Sequence, residues 1–402
     1  MKTRAFLSHK REDGDDVAQL RKMLGIYGTG GWKDTEDLSL GDVTEEGIRR
    51  AINEQTGGFI WWGTPAILES DTVNNLEIPA ALNRKRSELF YPLVPLFVGL
   101  SPGTASDRAS ITAAVGEYGE AFLSCNGLLK AGSESTPDFN RRVSDRYLHD
   151  ALKSIAKDKG VLDDITVAFR IQSTPDSNHD LTFDWRSIFD IEKRVFLSEG
   201  RGLVGSALAN ARDALQATTH SPRVELDLDL PLPIAFLLGF EWRITSRLRL
   251  SVRQRTGTTV SVVEGDGRVE DPPGPVREVL SGRGPAVLVI SCRGGLGGLP
   301  GDYAAGIDAS EIIVFHVPGE LSEAKMRGLA RSCASELRGL NNRGIEKHLL
   351  MLGPTSLAVF AGAASNACGP VVIPFWDGQR YCNPLVVGSN RREDGHLVNG
   401  ER

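Results

Sequence analysis

Four side chains near the amino terminus could hold a small anionic ligand. Lys10 and Arg11 come shortly after a predicted strand, TRAFLS (3–8), and Trp32 and Asp34 belong to a run, WKD, that follows a second stretch. If both stretches are parallel strands, their carboxyl ends meet at one edge of a sheet, where ligands collect. The cations could then contact phosphate groups and the indole could stack on a ring, so the sequence predicts a crevice there.

Glu77 is the acidic residue of most interest in this region. It lies in the stretch SDTVNNLEIPAAL (70–82), two positions before Pro79. Proline is tolerated in the first turn of a helix and is damaging further along it, so Glu77 is predicted at a helix start. The plain alternative is that Glu77 belongs to a solvated helix surface.

A second group of candidates lies after residue 164. Cys292, Arg293 and Gly294 follow the apolar strand AVLVISC (286–292), where backbone N–H groups and a guanidinium could meet phosphates; an ordinary loop is the alternative. Other hydroxyl, aromatic and guanidinium groups also follow predicted strands and could hydrogen-bond or stack on bases. They are Arg170, Trp185, Pro354, Thr355, Trp376, Arg380 and Tyr381. Arg293, Thr355 and Trp376 are the leading candidates.

The elements that must position the first group alternate between strand and helix. AFLS, FIWW and part of LFYPLVPLFVGL are apolar and short, as expected of buried strands. Between them, Val17, Leu20, Met23 and Leu24 recur at helical spacing. Alternation of this kind predicts a parallel sheet with helices on both faces. A helix over 138–157 is expected to close this domain, which we place at residues 1–158.

An internal repeat organises the remainder, residues 159–402. The segments 224–242 and 347–365 both show a strand, a proline and a small apolar helix, and each is followed by another strand. Matching residues are 123 positions apart: Pro231 and Pro354, Ala235 and Ala358, Gly239 and Gly362. Chance is the alternative, because these residue types are common. Duplication predicts two Rossmann-like halves whose strand ends surround one shared pocket, suited to a roughly symmetric ligand.

Composition narrows the class of protein. The 402 residues carry a net charge of −6, which argues against binding to nucleic-acid backbone, DNA included. The five cysteines include no CxxC pair, and no histidine pair has metal-ligand spacing, so no metal site is expected. Walker A, HExxH and GxSxG motifs are absent. No signal peptide or membrane span is evident, which predicts a soluble cytoplasmic protein.

Residues 3–100 resemble a Toll/interleukin-receptor (TIR) domain. AFLSHK matches its first strand, WKDTEDLSLG the start of its second-strand loop, and Leu76-Glu77-Ile78 its active-site glutamate region. The resemblance implies a flavodoxin-like fold, NAD as the substrate and Glu77 as the catalytic residue. The residues expected around NAD are Ser8, Lys10, Arg11, Trp32 and Asp34.

The chemistry of NAD cleavage fits one carboxylate. The nicotinamide of NAD is already a cationic leaving group, so its departure needs no general acid. The transition state resembles an oxocarbenium ion, as in glycoside hydrolysis. A carboxylate that contacts the ribose hydroxyls and faces the developing positive charge therefore suffices.

The repeated segments PLPIAFLLG and PTSLAVFAG resemble a SAVED domain, a fused pair of CRISPR-associated Rossmann-like (CARF) units. The resemblance implies a sensor of cyclic oligonucleotides, such as cyclic tri-adenylate, in the bacterial antiphage system CBASS. Together the two resemblances predict an NAD nucleosidase without a tightly bound cofactor. The activating ligand would drive head-to-tail oligomers or filaments in which TIR active sites assemble. The alternative is a non-enzymatic TIR scaffold recruited by nucleotide binding.

Overall fold

The structure of the protein is a computed structural model, which describes residues 3–33, 44–159, 164–174, 178–197, 199–218, 222–243, 246–254, 256–262, 268–292 and 298–388. Its strands are β1 (Ala5–Ser8), β2 (Gly31–Trp32), β3 (Gly58–Gly63), β4 (Leu93–Phe97), β5 (Leu128–Leu129), β6 (Ile165–Arg170), β7 (Leu181–Asp184), β8 (Phe189–Asp190), β9 (Val195–Phe196), β10 (Arg223–Asp229), β11 (Arg249–Arg253), β12 (Thr259–Ser261), β13 (Val276–Val279), β14 (Ala286–Ser291), β15 (Glu311–His316), β16 (Lys347–Leu352), β17 (Val371–Trp376) and β18 (Tyr381–Val387).

The α-helices of the described residues are α1 (Gly14–Ile26), α2 (Thr44–Arg50), α3 (Ile78–Ser87), α4 (Ala105–Val115), α5 (Gly119–Leu123), α6 (Thr136–Lys159), α7 (Gly200–Thr218), α8 (Leu232–Glu241), α9 (Leu299–Gly306), α10 (Glu323–Asn342) and α11 (Thr355–Ala364). Short 3₁₀ turns lie at Arg11–Asp13, Pro65–Glu69 and Gly116–Tyr118, and π-helical turns at Ala51–Gln55 and Val73–Glu77. Among the described residues, no helix is long and apolar enough to cross a membrane.

The described chain forms two compact units. The first comprises 1–168, 174–185 and 213–220, and the second comprises 169–173, 186–212 and 221–402. The chain therefore leaves the first unit and returns to it twice, and β6 and α7 each contribute residues to both units. The boundary at 158/159 stays a prediction.

The first unit contains a five-stranded sheet in the order β2-β1-β3-β4-β5, and all its pairs are parallel. This is the strand order of flavodoxin-like folds. Successive strand residues point to opposite faces. Phe6 and Trp61 therefore join one apolar cluster, whereas Leu7 and Trp62 join a second cluster that includes residues of α1 and α6. The predicted doubly covered parallel sheet and the helix around 138–157 are confirmed.

Two further sheets complete the main architecture. One has the order β12-β11-β10-β6-β7, and the other the order β13-β15-β14-β16-β17-β18. The inner pairs β14/β15, β14/β16 and β16/β17 are parallel, whereas the edge strands β13 and β18 run antiparallel to their neighbours. A small hairpin joins β8 to β9.

The repeat predicted from the sequence has a structural counterpart. Helices α8 and α11 span the same ten positions at an offset of 123, and each follows a strand and a proline N-cap with similar backbone angles. The two helices pack backbone to backbone. A Cβ at Gly239 would clash with the carbonyl oxygen of Val359, and a Cβ at Gly362 would clash with that of Phe236. Because Phe236 and Val359 are also 123 positions apart, the contact is reciprocal, as pseudo-two-fold symmetry requires.

Candidate functional site

A cavity of about 640 Å³ lies within the second unit, where the two repeated halves meet. Its walls come from the carboxyl ends of β10, β11, β16 and β17 and from the first turns of α8 and α11. Strand ends and helix starts converge there because each half places its helix directly after a parallel strand. This is the position at which open α/β sheets hold ligands.

Most of the cavity wall obeys the internal symmetry. Fourteen of the twenty described lining residues form seven pairs at the 123-residue offset. The pairs are Leu228/Met351, Leu230/Gly353, Pro231/Pro354, Leu232/Thr355, Pro233/Ser356, Val252/Phe375 and Arg253/Trp376. The shared pocket predicted from the repeat is therefore present as a geometric feature.

The first residues of two helices line this cavity. Helix α8 begins at Leu232 after Pro231, and α11 begins at Thr355 after Pro354; neither proline offers a side-chain cap. Backbone N–H groups at a helix start lack an acceptor within the helix, although α8 offers fewer of them than α11 because Pro233 has none. The helix dipole adds partial positive charge at both starts. Both features favour an anionic group in the cavity.

The second half contributes an aromatic wall. Trp376 is 38% exposed and makes an edge contact with Tyr381 at 5.1 Å between ring centroids. Tyr381 in turn contacts the ring of Tyr303 at 5.6 Å. Exposed indole of this kind suits stacking on a nucleobase.

A hydrogen-bonded pair of side chains supports that wall from behind. The hydroxyl of Tyr303 lies 2.7 Å from Nδ1 of His348, and Nε2 of His348 lies 2.9 Å from a carboxylate oxygen of Glu346. Burial raises the pKa of Tyr303 to about 12, so its hydroxyl stays protonated and can donate to Nδ1. Nε2 of His348 is hydrogen-bonded to Glu346 on its other side, and the arrangement holds the Tyr303 ring against Tyr381.

Cationic groups line the cavity without acidic neighbours in its wall. Arg194 and Arg253 are lining residues, and no Asp or Glu is among the described lining residues. Nε of Arg253 donates to Glu225 at 2.8 Å, and a terminal nitrogen pairs with the same carboxylate. A guanidinium has five N–H donors, so this pairing orients Arg253 and leaves donors for a ligand.

The segment around the cavity matches a known family. Residues 207–381 match the model of SAVED, the SMODS-associated and fused to various effectors sensor domain. Every described lining residue except Arg194 falls within this segment. Residues 207–381 therefore form a SAVED-like domain, most of which belongs to the second unit.

Solved structures of SAVED-containing receptors are distant likenesses of the whole chain. One is the Acinetobacter baumannii Cap4 SAVED/CARF-domain containing receptor with the cyclic trinucleotide 3'3'3'-cAAA, at 12% identity and a TM-score of 0.49, covering 94% of this chain and 98% of that one. Another is the Moraxella osloensis Cap4 SAVED/CARF-domain containing receptor, at 12% identity and a TM-score of 0.44, covering 93% and 98%. No curated protein matches the sequence.

Four of the residues predicted for the SAVED-like domain meet in the cavity wall: Pro354, Thr355, Trp376 and Tyr381. Cys292 borders it, because its sulfur lies beside Gly353. Burial raises the pKa of the Cys292 thiol to about 11, so it is a neutral group there. Arg293 and Gly294 lie outside the described residues.

Three other predicted residues lie elsewhere. Arg380 is not among the lining residues and is exposed, 3.7 Å from Asp377. Arg170 is buried and pairs with Asp227 at 2.6 Å, so the interpretation of Arg170 as a cavity residue is corrected: its guanidinium is engaged between strands. Trp185 belongs to the first unit, is fully buried and donates its indole N–H to the carbonyl of Ile26 at 3.0 Å. It cannot stack on a ligand in this conformation.

Sequence reasoning missed Arg253 and Arg194. Arg253 ends β11 at the position that corresponds to Trp376 in the repeat, so extending the 123-residue alignment by one strand would have found it. Arg194 lies in the β8–β9 hairpin with a positive φ of 54°. No local motif marked it, because only the tertiary fold brings this hairpin to the cavity.

In the first unit, the carboxyl ends of β1 and β3 bring several polar groups together. Nζ of Lys10 lies 3.3 Å from a carboxylate oxygen of Glu69, and the Thr64 hydroxyl donates to Asp13 at 2.9 Å. Burial raises the pKa of Asp13, although the hydrogen bond from Thr64 opposes the rise. Ser8 is buried, and its hydroxyl has no hydrogen-bond partner within the described part of the chain.

Glu77 is also mostly buried, with 6% of its surface exposed. The α-helix α3 begins at Ile78 with Pro79 in its first turn, but the prediction that Glu77 lies at a helix start is wrong. Helical backbone already begins before Glu77, because Val73–Glu77 forms a π-helical turn. Pro79 lacks the N–H that an α-helix would need at that point, and a wider turn accommodates its ring. Turns of this type recur at functional sites.

Of the remaining predicted residues of this unit, Trp32 differs from expectation. Trp32 is 2% exposed and stacks on Phe6 at 4.8 Å, so its ring is part of the core and not a free stacking surface. Arg11 is exposed in the turn Arg11–Asp13. Asp34 lies outside the described residues.

Proposed function

We propose that the chain is an NAD glycohydrolase that becomes active when its SAVED-like domain binds a cyclic oligonucleotide, in cytoplasmic antiphage defence. The observation that carries the sensing part is the cavity built from two pseudo-equivalent halves. A ring of nucleotides presents phosphates and bases around its circumference, and this cavity offers groups for both from opposite sides.

The wall chemistry supports an anionic nucleotide ligand. The cavity has a volume of about 640 Å³, and small-molecule pockets have volumes of roughly 300–1,000 Å³. Two helix N-termini and two arginines favour phosphates, and Trp376 offers a stacking surface. A cyclic tri-adenylate is the ligand that we propose first.

The enzymatic part rests on the first unit. Its parallel sheet has the flavodoxin-like order, and polar groups gather at the carboxyl ends of its strands. Glu77 follows β3 in the segment whose sequence resembles the TIR active-site region. In the proposed mechanism, the Glu77 carboxylate contacts the ribose of NAD and stabilises the oxocarbenium-like transition state, while Lys10 contacts the diphosphate. NAD is the substrate.

Assembly supplies the proposed switch. Glu77 and Trp32 are buried in the single chain, so we propose that neighbouring copies in a ligand-induced head-to-tail oligomer open and complete each active site. Contacts of this heterologous type build rings or open filaments.

One experiment tests both parts. Purified protein is incubated with NAD and with 3'3'3'-cAAA, 2'3'3'-cAAA, cyclic di-adenylate or cyclic tetra-adenylate, and nicotinamide release is followed by chromatography. Sedimentation velocity and isothermal titration calorimetry on the same samples follow assembly and binding. We expect nicotinamide release and larger particles with at least one ring. Binding without release would overturn the enzymatic part, and the absence of binding would overturn the sensor part.

A non-enzymatic scaffold is the second candidate. The burial of Trp32 and Glu77 favours it, because the single chain offers no exposed indole or carboxylate at these positions. A scaffold would bind a ring and assemble, but it would leave NAD intact in every sample of the experiment above.

A further inference from the structure

One of the seven symmetric pairs in the cavity wall combines chemically opposite side chains. Arg253 ends β11 in the first half, and Trp376 ends β17 in the second half at the corresponding position. The same site on each half therefore carries a cation on one side and a large aromatic ring on the other. The indole has one N–H donor and no charge, so it cannot replace the guanidinium on a phosphate.

The difference continues beneath these two residues. Arg253 is oriented by Glu225, and the position that corresponds to Glu225 is His348. His348 holds Tyr303, whose ring contacts Tyr381. An ion pair in one half is thus replaced by an aromatic stack in the other. Each half supports its own terminal residue with partners of matching chemistry, so the asymmetry is built into the fold.

The first residues of α8 and α11 also differ in the polar groups that they offer. Thr355 and Ser356 in the second half offer hydroxyls and backbone N–H groups, whereas their counterparts are Leu232 and Pro233. Pro233 has no N–H and Leu232 has no polar side-chain atom. The two faces of the cavity that meet a ligand are therefore not interchangeable.

We propose that this cavity accepts a cyclic oligonucleotide in a single orientation, with Arg253 on a phosphate and Trp376 stacked on a base. The proposal rests on the proposed sensor function and names the residues that fix the orientation. A ring turned by the pseudo-two-fold axis would place a phosphate against the indole and a base against the guanidinium that Glu225 orients, and would lose both contacts. Removing a stacked aromatic weakens binding roughly 5- to 150-fold.

An exchange of the two side chains tests the proposal. Binding of 3'3'3'-cAAA is measured by calorimetry for the wild type, Arg253→Trp, Trp376→Arg and the double variant. Each single variant should bind at least roughly fivefold more weakly, because one contact type is lost and the other is duplicated. The double variant should regain part of the affinity, since the ring can then bind in the turned orientation, in which Thr355 and Ser356 no longer meet their original groups. Arg277→Trp is the matched control, because Arg277 is also an exposed strand arginine paired with glutamates.

Tryptophan fluorescence gives a second reading of orientation. The other five tryptophans are 0–2% exposed, so quenching on binding reports Trp376. We expect quenching in the wild type, none in Trp376→Phe although it binds within a few-fold, and quenching again in the double variant from the indole now at position 253. Arg253→Gln should lower the salt dependence of log Kd, because one of the charges that attract the phosphates is lost.

The outcomes separate the two proposals. If the wild type binds none of the rings tested, the sensor function fails, and the orientation with it. If the wild type binds but both single exchanges bind equally well, or the folded double variant regains nothing, only the single orientation is overturned. Conservative variants cover the case of an exchange that fails to fold: unchanged salt dependence in Arg253→Gln together with retained quenching in Trp376→Phe would also overturn it.

Discussion

The two candidate ligand regions of the molecule differ in how accessible their predicted ligand-binding side chains are. In the SAVED-like domain the cavity is open, and its indole, Trp376, is partly exposed. In the first unit, Trp32 and Glu77 are buried, and the indole packs on Phe6. Two tryptophans that each end a strand thus differ in their surroundings. The proposed function requires this difference, since a sensor must be preformed whereas a regulated active site must be incomplete at rest.

Trp32→Ala should give the largest effect. Removal of a buried indole leaves a cavity in the core, and we expect the free energy of unfolding to fall by about 3–5 kcal/mol. Urea denaturation followed by circular dichroism measures it. Trp376→Ala is the matched control and should change stability by less than about 1 kcal/mol while weakening ring binding. Similar losses from both variants would contradict the contrast between the two regions.

Glu77→Gln should abolish most turnover without affecting the sensor. The amide keeps the shape of the side chain but lacks the negative charge that faces the transition state, so nicotinamide release should drop roughly 100-fold or more. The assay uses saturating 3'3'3'-cAAA, and calorimetry should show unchanged ring binding. Glu88→Gln, at the exposed end of the same helix, serves as control. Full activity in Glu77→Gln would remove Glu77 from the proposed site.

Gly239→Ala and Gly362→Ala test the symmetry of the sensor halves. Each new methyl group would press on a backbone carbonyl of the facing helix, and we expect both variants to lose about 1–3 kcal/mol of stability. Gly339→Ala in α10 has open space and should gain roughly 0.5–1 kcal/mol. Thermal and urea unfolding compare the three. A large effect in only one member of the pair would show that the halves are unequal at their crossing.

Lys10→Met should give the smallest effect. The ion pair with Glu69 is partly exposed and contributes about 1 kcal/mol or less to stability. If Lys10 contacts the diphosphate of NAD, KM should rise roughly fivefold with kcat nearly unchanged. Steady-state kinetics of nicotinamide release measure both constants. Lys153→Met, another exposed paired lysine, should alter neither, and an equal KM in the wild type and Lys10→Met would exclude the contact.

Local patterns and the repeat predicted a large share of the fold. The spacing of apolar residues predicted buried strands such as Leu93–Phe97 and the amphipathic helix α6. Tertiary contacts did not change these local preferences. Thr355 and Trp376 were predicted correctly as residues near the cavity. Thr355 begins a helix and Trp376 ends a strand, and both positions limit where a side chain can point. The 123-residue repeat then brought both halves to one cavity.

Long-range partners explain the failures. Arg170 has the right residue type at a strand end, but its partner Asp227 is 57 residues away and draws it into the sheet. The partner of Trp185, the carbonyl of Ile26, is 159 residues away. Residue type and local spacing carry no information on such contacts. The π-helical turn before Glu77 similarly depends on how Pro79 is accommodated in three dimensions.

The glycine crossing of α8 and α11 limits how the cavity can change shape. Leu232 and Thr355 at the cavity lie seven residues from Gly239 and Gly362, about 10 Å along each helix axis. No layer of side chains separates the two backbones at the crossing, so the helices cannot move closer together there. A motion that preserves this contact is rotation about the crossing. When the cavity widens or narrows, the opposite ends of the two helices then move as well. The glycine pair is the pivot that couples the ligand to the far side of the domain.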